Sequence, residues 1–178
     1  MTTNKSSMLL KDGRCLYHIQ DLAVLWGVSN SNTLHTTISR YMKRGILNNI
    51  YKGFYSTKTL SNISPLLLGL ASIHRYGYLS TENILVEEGV IFQDIKYITI
   101  VSNVSKRFQI NKNDFLVRKM KEIYLKNDTG IILKDGIRKA VLERAVADLL
   151  YFNPNYYFDN TKNINWRKVK DIQKIIGY

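Results

Sequence analysis

Residues 16–55, LYHIQDLAVLWGVSNSNTLHTTISRYMKRGILNNIYKGFY, decide the fold of the first part of this chain. Near their start, Leu22, Leu25 and Trp26 fall at helical spacing and give one face of a short helix an apolar surface. Gly27 follows where a helix commonly ends, because glycine enters the left-handed conformation without a steric cost. This pattern predicts a short helix that ends in a turn.

A second helix and a hairpin follow this turn. Residues 28–32 contain several candidate N-caps, and a helix is expected from about residue 33 to residue 44. Gly45 is expected to end it. Two short stretches with alternating apolar residues then flank a Tyr51-Lys52-Gly53 turn and predict a hairpin. Helix, turn, helix and hairpin together predict a winged helix-turn-helix.

The second helix has two contrasting faces at about 100° per residue. One face gathers the apolar side chains Leu34, Ile38, Tyr41 and Met42. The other face carries only polar residues, namely Asn32, Thr33, Thr36, Ser39, Arg40 and Lys43. No acid occurs between Asp21 and Glu82, although solvated helix faces usually carry glutamate. Short polar groups with two cations suit a helix that lies in a major groove of DNA.

The predicted DNA-binding residues are Ser31, Asn32, Thr33, Thr36, Ser39, Arg40, Lys43 and Lys52. Asn32, Thr36 and Arg40 are expected to contact bases, whereas Ser31 and Lys43 are expected to contact phosphates. Lys52, at the tip of the hairpin, is expected to reach the adjacent backbone or the minor groove. The competing interpretation is an ordinary amphipathic helix with a solvated face.

Charge and length are consistent with two domains and a polyanionic partner. The chain has 178 residues, 26 Lys and Arg, 14 Asp and Glu, and a formal charge of +12. Residues 1–60 contain 8 basic and 2 acidic residues, and the other 118 residues contain 18 basic and 12 acidic residues. Each part therefore carries a net charge of +6. Charge density is therefore about twice as high over the proposed DNA-binding domain, residues 1–60, as over residues 61–178. The polar stretch 57–64 marks the boundary.

Other sequence features argue against secretion, a membrane span and catalysis. Cys15 is the single cysteine, and the first seven residues are polar, so a reducing cytoplasm is expected. The longest apolar run is too short to span a bilayer, and no membrane partner is expected. The three histidines are scattered, and no phosphate-binding or hydrolase motif occurs, so neither an enzyme, a metal site nor a cofactor is predicted.

The second domain is predicted to mix helices and strands around one long buried helix, which makes the whole chain α+β. Residues 1–13 are expected to be frayed or partly helical. Helices are expected at 65–77, at 81–88 with Ser80 as its cap, at 138–152 and at 166–176. Strands are expected at 96–102, 107–110, 115–120, 122–125 and 131–134. Within helix 138–152, Arg144 and Asp148 are four residues apart and are expected to form a structural salt bridge.

Several passages, taken in order, resemble the AbiEi-type antitoxins of bacterial abortive-infection systems, which are phage-defence, type IV toxin–antitoxin systems. The resemblance covers about residues 16–151. Its motifs are Gly27-Val28-Ser29, Lys43-Arg44-Gly45-Ile46-Leu47, Lys52-Gly53-Phe54-Tyr55, Gly77-Tyr78-Leu79-Ser80, Gly89-Val90-Ile91, Tyr97-Ile98-Thr99-Ile100-Val101, Lys106-Arg107-Phe108 and Glu143-Arg144-Ala145-Val146-Ala147-Asp148-Leu149-Leu150-Tyr151. The last motif, at this distance from the others, is the most specific.

The resemblance implies an N-terminal domain that represses its own operon by binding inverted repeats in double-stranded DNA, and a C-terminal domain that confers antitoxicity. It also implies a cognate nucleotidyltransferase-like toxin, neutralised without a stable toxin–antitoxin complex. The alternative left open is a basic protein that binds RNA or sequesters a toxin without recognising an operator.

Overall fold

The computed structural model describes residues 4–178, and the chain divides into two compact units between Ser64 and Pro65. Helices and strands are mixed along the chain, as expected for the α+β class. In the first unit the elements are α1 Lys5–Asp12, β1 Leu16–His18, α2 Ile19–Trp26, α3 Ser31–Lys43, β2 Asn48–Tyr51 and β3 Phe54–Ser56, followed by a single 3-10 turn, Leu60–Asn62.

The first unit packs three helices against a small antiparallel sheet of order β1-β3-β2. Side chains from all three helices meet in its core, where Leu22 of α2, Ile38 of α3 and Leu47 are almost fully buried. Helix α1 closes this core with Leu9. Burying each such side chain contributes roughly 1.5–3 kcal/mol, so the apolar stripe of α3 decides which of its faces remains outside.

Residues 1–13 were expected to be frayed or partly helical, and their described part contains α1, a helix of eight residues whose first turn is capped by the Asn4 side chain. Residues 1–3 of that expectation lie outside the described residues. Helix α3 begins at Ser31 rather than near residue 33, because Asn30 serves as its N-cap. The sequence pattern also did not predict β1, which is only three residues long.

The second unit contains five helices and six strands in its described residues. They are α4 Pro65–Ser72, β4 Gly77–Leu79, α5 Glu82–Glu87, β5 Tyr97–Ser102, β6 Lys106–Ile110, β7 Asn113–Lys119, α6 Glu122–Leu125, β8 Ile131–Lys134, β9 Ile137–Ala140, α7 Leu142–Phe152 and α8 Trp166–Ile176. The strands form a mixed sheet of order β6-β7-β5-β4-β9-β8, with parallel pairs β5–β7 and β4–β9.

Helices cover both faces of this sheet. Helix α4 packs so closely that a Cβ at Gly69 would overlap the ring of Phe115. Side chains on the other face, including Tyr78 of β4, point towards α7. Helix α7 in turn packs against α5 and α8. Its residues 144–149 are all buried, which confirms the long buried helix expected for this unit.

Four element predictions in the second unit are wrong at their boundaries or in type. Helix α4 ends at Ser72 rather than at residue 77, because Gly77 begins β4. Residues 122–125 form a helical turn, α6, and not a strand. Helix α7 begins at Leu142 rather than at residue 138, since residues 137–140 form β9. Ser80 does not cap α5; its hydroxyl donates instead to Asp148, 2.7 Å away.

Candidate nucleic-acid interface

The candidate interface is built on the junction between α2 and α3. Gly27 ends α2 in the left-handed conformation, with φ at 61°. Three residues later the Asn30 side chain accepts a hydrogen bond from the backbone N–H of Thr33, at 3.0 Å. This bond satisfies one of the N–H groups left free at a helix start. The turn and the cap together fix where α3 begins and which way it points.

The burial of α3 follows its apolar pattern. Leu34, Thr37, Ile38 and Tyr41 are buried on the inner face. Thr37 belongs to this buried set although it is polar. Because the inner face is fixed by four buried side chains, the outward direction of the remaining residues is fixed as well.

The predicted DNA-binding residues lie on the outer side. Ser31, Asn32, Thr33, Thr36, Arg40, Lys43 and Lys52 are exposed, and Ser39 is half-buried. At about 100° per residue, Asn32, Thr36 and Lys43 lie almost opposite the buried stripe, and Arg40 flanks them. The structure therefore brings Asn32, Thr36, Arg40 and Lys43 together on one face, with Thr33 and Ser39 beside them, whereas Ser31 is exposed at the helix start on the side of Ile38. Sequence reasoning passed over His35, which is also exposed at the edge of this face and has a ring able to donate or accept hydrogen bonds.

Lys52 stands at the tip of the β2–β3 hairpin, where Gly53 adopts a φ of 82°. Two contacts hold the hairpin near its tip. The backbone N–H of Ile19, the first residue of α2, donates to the Gly53 carbonyl at 2.9 Å. The ring of Phe54 stacks on His18 with centroids 4.4 Å apart. These contacts tie the hairpin to the start of α2, so Lys52 projects from a supported turn.

The electrostatics of the first unit leave its outward cations uncompensated. Both acids of residues 1–60 contact one arginine: Arg14 lies 2.8 Å from Asp12 and 3.7 Å from Asp21. The Arg14 hydrogen bond is the largest cause of a lowered pKa at Asp12, which stays ionised and committed to this pair. Within residues 4–178, neither Arg40 nor Lys43 forms an ion pair. The positive charges of Arg40 and Lys43 therefore remain on the surface of α3 without an acidic partner in this part of the chain.

The most specific motif of the family resemblance lies elsewhere, in α7, and its charged residues are interior. Arg144 and Asp148 are both fully buried, with Nε and Oδ1 2.8 Å apart, which confirms the expected salt bridge. Burial is the largest single influence and lowers the pKa of Arg144, but Asp148, Tyr78 and Tyr178 together outweigh it, so the pKa is raised. These residues stabilise the second unit from inside and offer no surface to a partner.

Two further features concern metal binding and membrane insertion. In the described part of the chain, no three His, Cys, Asp or Glu side chains are grouped closely enough to hold a metal ion. Among the helices of residues 4–178, none combines the length and apolar character needed to cross a lipid bilayer.

Neither the protein-family models nor the curated proteins that were compared with the chain match it.

Proposed function

We propose that the chain is a DNA-binding transcriptional regulator whose first unit is a winged helix-turn-helix. In this proposal α2 and α3 are the helix-turn-helix, α3 is the recognition helix and the β2–β3 hairpin is the wing. The observation that carries it is the outer face of α3, on which exposed short polar side chains and two unpaired cations lie together. The order helix–strand–helix–helix–strand–strand supports it.

The proposed mechanism assigns each side chain a contact that its length and chemistry permit. Asn32 and Arg40 read base edges in the major groove, since amide and guanidinium groups form bidentate hydrogen bonds there. Thr36, near the centre of the face, is short enough to let the helix backbone approach the bases. Lys43 and Ser31 bind phosphates on either side, and Lys52 binds the neighbouring backbone from the wing.

We further propose that the regulator acts as the antitoxin and autorepressor of a toxin–antitoxin operon, with a nucleotidyltransferase-like toxin as its cognate partner. The support is the resemblance to AbiEi-type antitoxins, which includes the passage around the buried Arg144–Asp148 pair. The toxin is neutralised without a stable complex. Binding to RNA, or sequestration of the toxin by the basic second unit, is the competing function.

Footprinting on the DNA upstream of the protein's own gene tests the proposal. We expect a protected inverted repeat and a gel shift that weakens steeply as salt rises. Arg40→Ala should reduce operator affinity by about 1–3 kcal/mol, the discrimination of one bidentate base contact. Lys43→Ala should weaken operator and unrelated DNA alike, because it removes a phosphate contact.

Arg167→Ala is the matched control, since Arg167 is an exposed arginine on α8 of the second unit. It should leave operator affinity unchanged. If Arg40→Ala and Lys43→Ala both retain full affinity, α3 is not the recognition helix. Preference for transfer RNA over the operator, or a toxin complex that survives gel filtration, would instead support the competing function.

A further inference from the structure

The two edges of the six-stranded sheet in the second unit differ in character. At one edge, β6 presents the charged side chains of Lys106 and Arg107, both of which are exposed. At the other edge, β8 presents Ile132 and Leu133, which are 46% and 72% exposed in the whole chain. Natural proteins protect edge strands with charge, because an unprotected edge pairs with further strands. The edge at β6 is protected in this way, whereas the middle of β8 is apolar.

The backbone of β8 also has hydrogen-bonding groups that face away from the sheet. Lys134 and Ile137 flank the two-residue turn to β9 and are hydrogen-bonded to each other, and bonded and non-bonded pairs alternate along an antiparallel ladder. Leu133 and Ile131 therefore direct their backbone groups outwards. The Ile131 N–H is already bonded to the Asp128 carbonyl, at 2.9 Å. The N–H and C=O of Leu133 and the C=O of Ile131 have no backbone partner among residues 4–178.

A second copy of the same strand is complementary to these groups. Antiparallel pairing sets outward-directed residues opposite one another, so a register centred on Ile132 is allowed and a shift by one residue on one strand is not. In this register Ile132 lies opposite the partner's Ile132, and Leu133 lies opposite the partner's Ile131. Each Leu133 N–H can then donate to an Ile131 carbonyl. Lys134 falls opposite the partner's Gly130, which has no side chain.

The charges of β8 do not oppose this pairing. Because each Lys134 falls opposite residue 130 of the other copy, the two lysines are four residues apart along the strands, or roughly 13 Å. That separation exceeds the Debye length of about 8 Å at physiological ionic strength. A register centred on Leu133 is also allowed by the backbone, but it sets each Lys134 against an Ile132. The register centred on Ile132 instead keeps apolar pairs at the centre and charges at the ends, as in other protein interfaces.

We propose that two copies of this chain associate through β8 about a two-fold axis at Ile132, which joins their two sheets into one. Two such short strands bury less surface than the roughly 1,200 Å² of stable interfaces, so the dimer is weak and reversible. Strand pairing needs no DNA and is therefore independent of α3. The match between a two-fold dimer and the symmetry of an inverted repeat, by contrast, rests on the proposed function.

Sedimentation equilibrium of the full chain tests the pairing in the absence of DNA. We expect a monomer–dimer equilibrium with a Kd on the order of 100 µM, as suits a small transient interface. Ile132→Lys sets two ammonium groups opposite each other, and Ile132→Glu sets two carboxylates, so each variant alone should raise the Kd at least about tenfold. An equimolar mixture of the two variants should dimerise again, because opposite charges then meet.

Ile123→Lys is the matched control, since Ile123 is an isoleucine of α6 that is 75% exposed. It should dimerise like the unmodified chain. Circular dichroism confirms that each variant is folded. An unmodified chain that stays monomeric up to roughly 1 mM overturns the proposal. The same conclusion follows if folded Ile132→Lys dimerises normally, or if the mixture with Ile132→Glu stays monomeric.

Disulfide trapping tests the register. In a Cys15→Ser background, Ile132→Cys sets two thiols at a non-hydrogen-bonded pair whose Cα atoms are about 4.5 Å apart, close enough for a disulfide. Mild oxidation should therefore convert this variant into a covalent dimer, whereas Lys134→Cys, opposite Gly130, should remain monomeric. Equal cross-linking of these variants, no cross-linking of Ile132→Cys, or cross-linking of Leu133→Cys in its place would contradict the register centred on Ile132.

Discussion

Arg144 illustrates at the scale of one residue how a fully buried charge is accommodated. Its Nε donates to Asp148, one terminal nitrogen donates to the carbonyls of Asn127 and Thr129 at 3.0 and 2.9 Å, and the other donates to the Tyr78 hydroxyl at 2.7 Å. Each of the three guanidinium nitrogens therefore has a hydrogen-bond partner. Such a charge is tolerated only while its partners remain, which makes the pair a sensitive point of the second unit.

Replacing Asp148 with Asn should destabilise the second unit by about 3–5 kcal/mol, because the guanidinium of Arg144 would stay buried without a counter-charge. Urea denaturation followed by fluorescence measures the loss. Asp171→Asn, at an exposed aspartate of α8, is the control and should change stability by less than about 0.5 kcal/mol. Similar stabilities for the two variants would show that the buried pair contributes little.

At the scale of the element, α3 depends on one side chain for its start. Asn30→Ala removes the acceptor for the Thr33 N–H, and we expect it to cost about 1 kcal/mol of stability, as measured by thermal denaturation. It should also reduce operator affinity, because Asn32 and Thr36, two of the residues predicted to contact bases, lie in the first two turns after this cap. Gel-shift titration measures that effect.

Asn165→Ala provides the matched comparison for the cap. Asn165 is the N-cap of α8, where its side chain accepts from the Lys168 N–H at 3.1 Å. Its loss should cost a similar stability, about 1 kcal/mol, and leave DNA binding intact. An equal effect of both variants on operator affinity would mean that α3 has no special role in binding.

At the scale of the whole molecule, the net charge of +12 should attract any polyanion. The way in which affinity falls with salt distinguishes this general attraction from contacts at a defined interface. Each phosphate contact adds about 0.9 to the slope of log affinity against log salt. Lys52→Ala should lower this slope by about one and weaken all DNA sequences alike. Lys134→Ala, which removes an exposed lysine next to the β8–β9 turn of the second unit, should leave the slope unchanged. Identical slopes for both variants would exclude the wing from the interface.

Local sequence signals predicted the structure correctly where a residue type or a short pattern favours one conformation. Gly27 ends α2 as expected, and the period of Leu34, Ile38 and Tyr41 identifies the buried face of α3. Strand β5 and helix α8 were predicted for similar reasons, since a run of β-branched residues and an amphipathic period need no distant partner. The outward position of Arg40 and Lys43 follows from the same period, because the two faces of a helix are complementary.

Short elements and long-range pairs were decided by the tertiary structure. Strands β1, β4 and β9 have three or four residues each, too few for a periodic signal, and they exist because neighbouring strands supply their hydrogen-bond partners. The boundary between β9 and α7 was missed for this reason.

The sequence by itself determined the polar outer face of α3, because helical periodicity and the absence of acids are properties of a local stretch. It also determined that Arg144 and Asp148 would pair, since they are four residues apart on one helix. Only the tertiary structure placed Ser80 on Asp148 and Arg118 beside Glu82. Those residues are separated by tens of positions, and their meeting depends on the order of strands in the sheet, which no local pattern encodes.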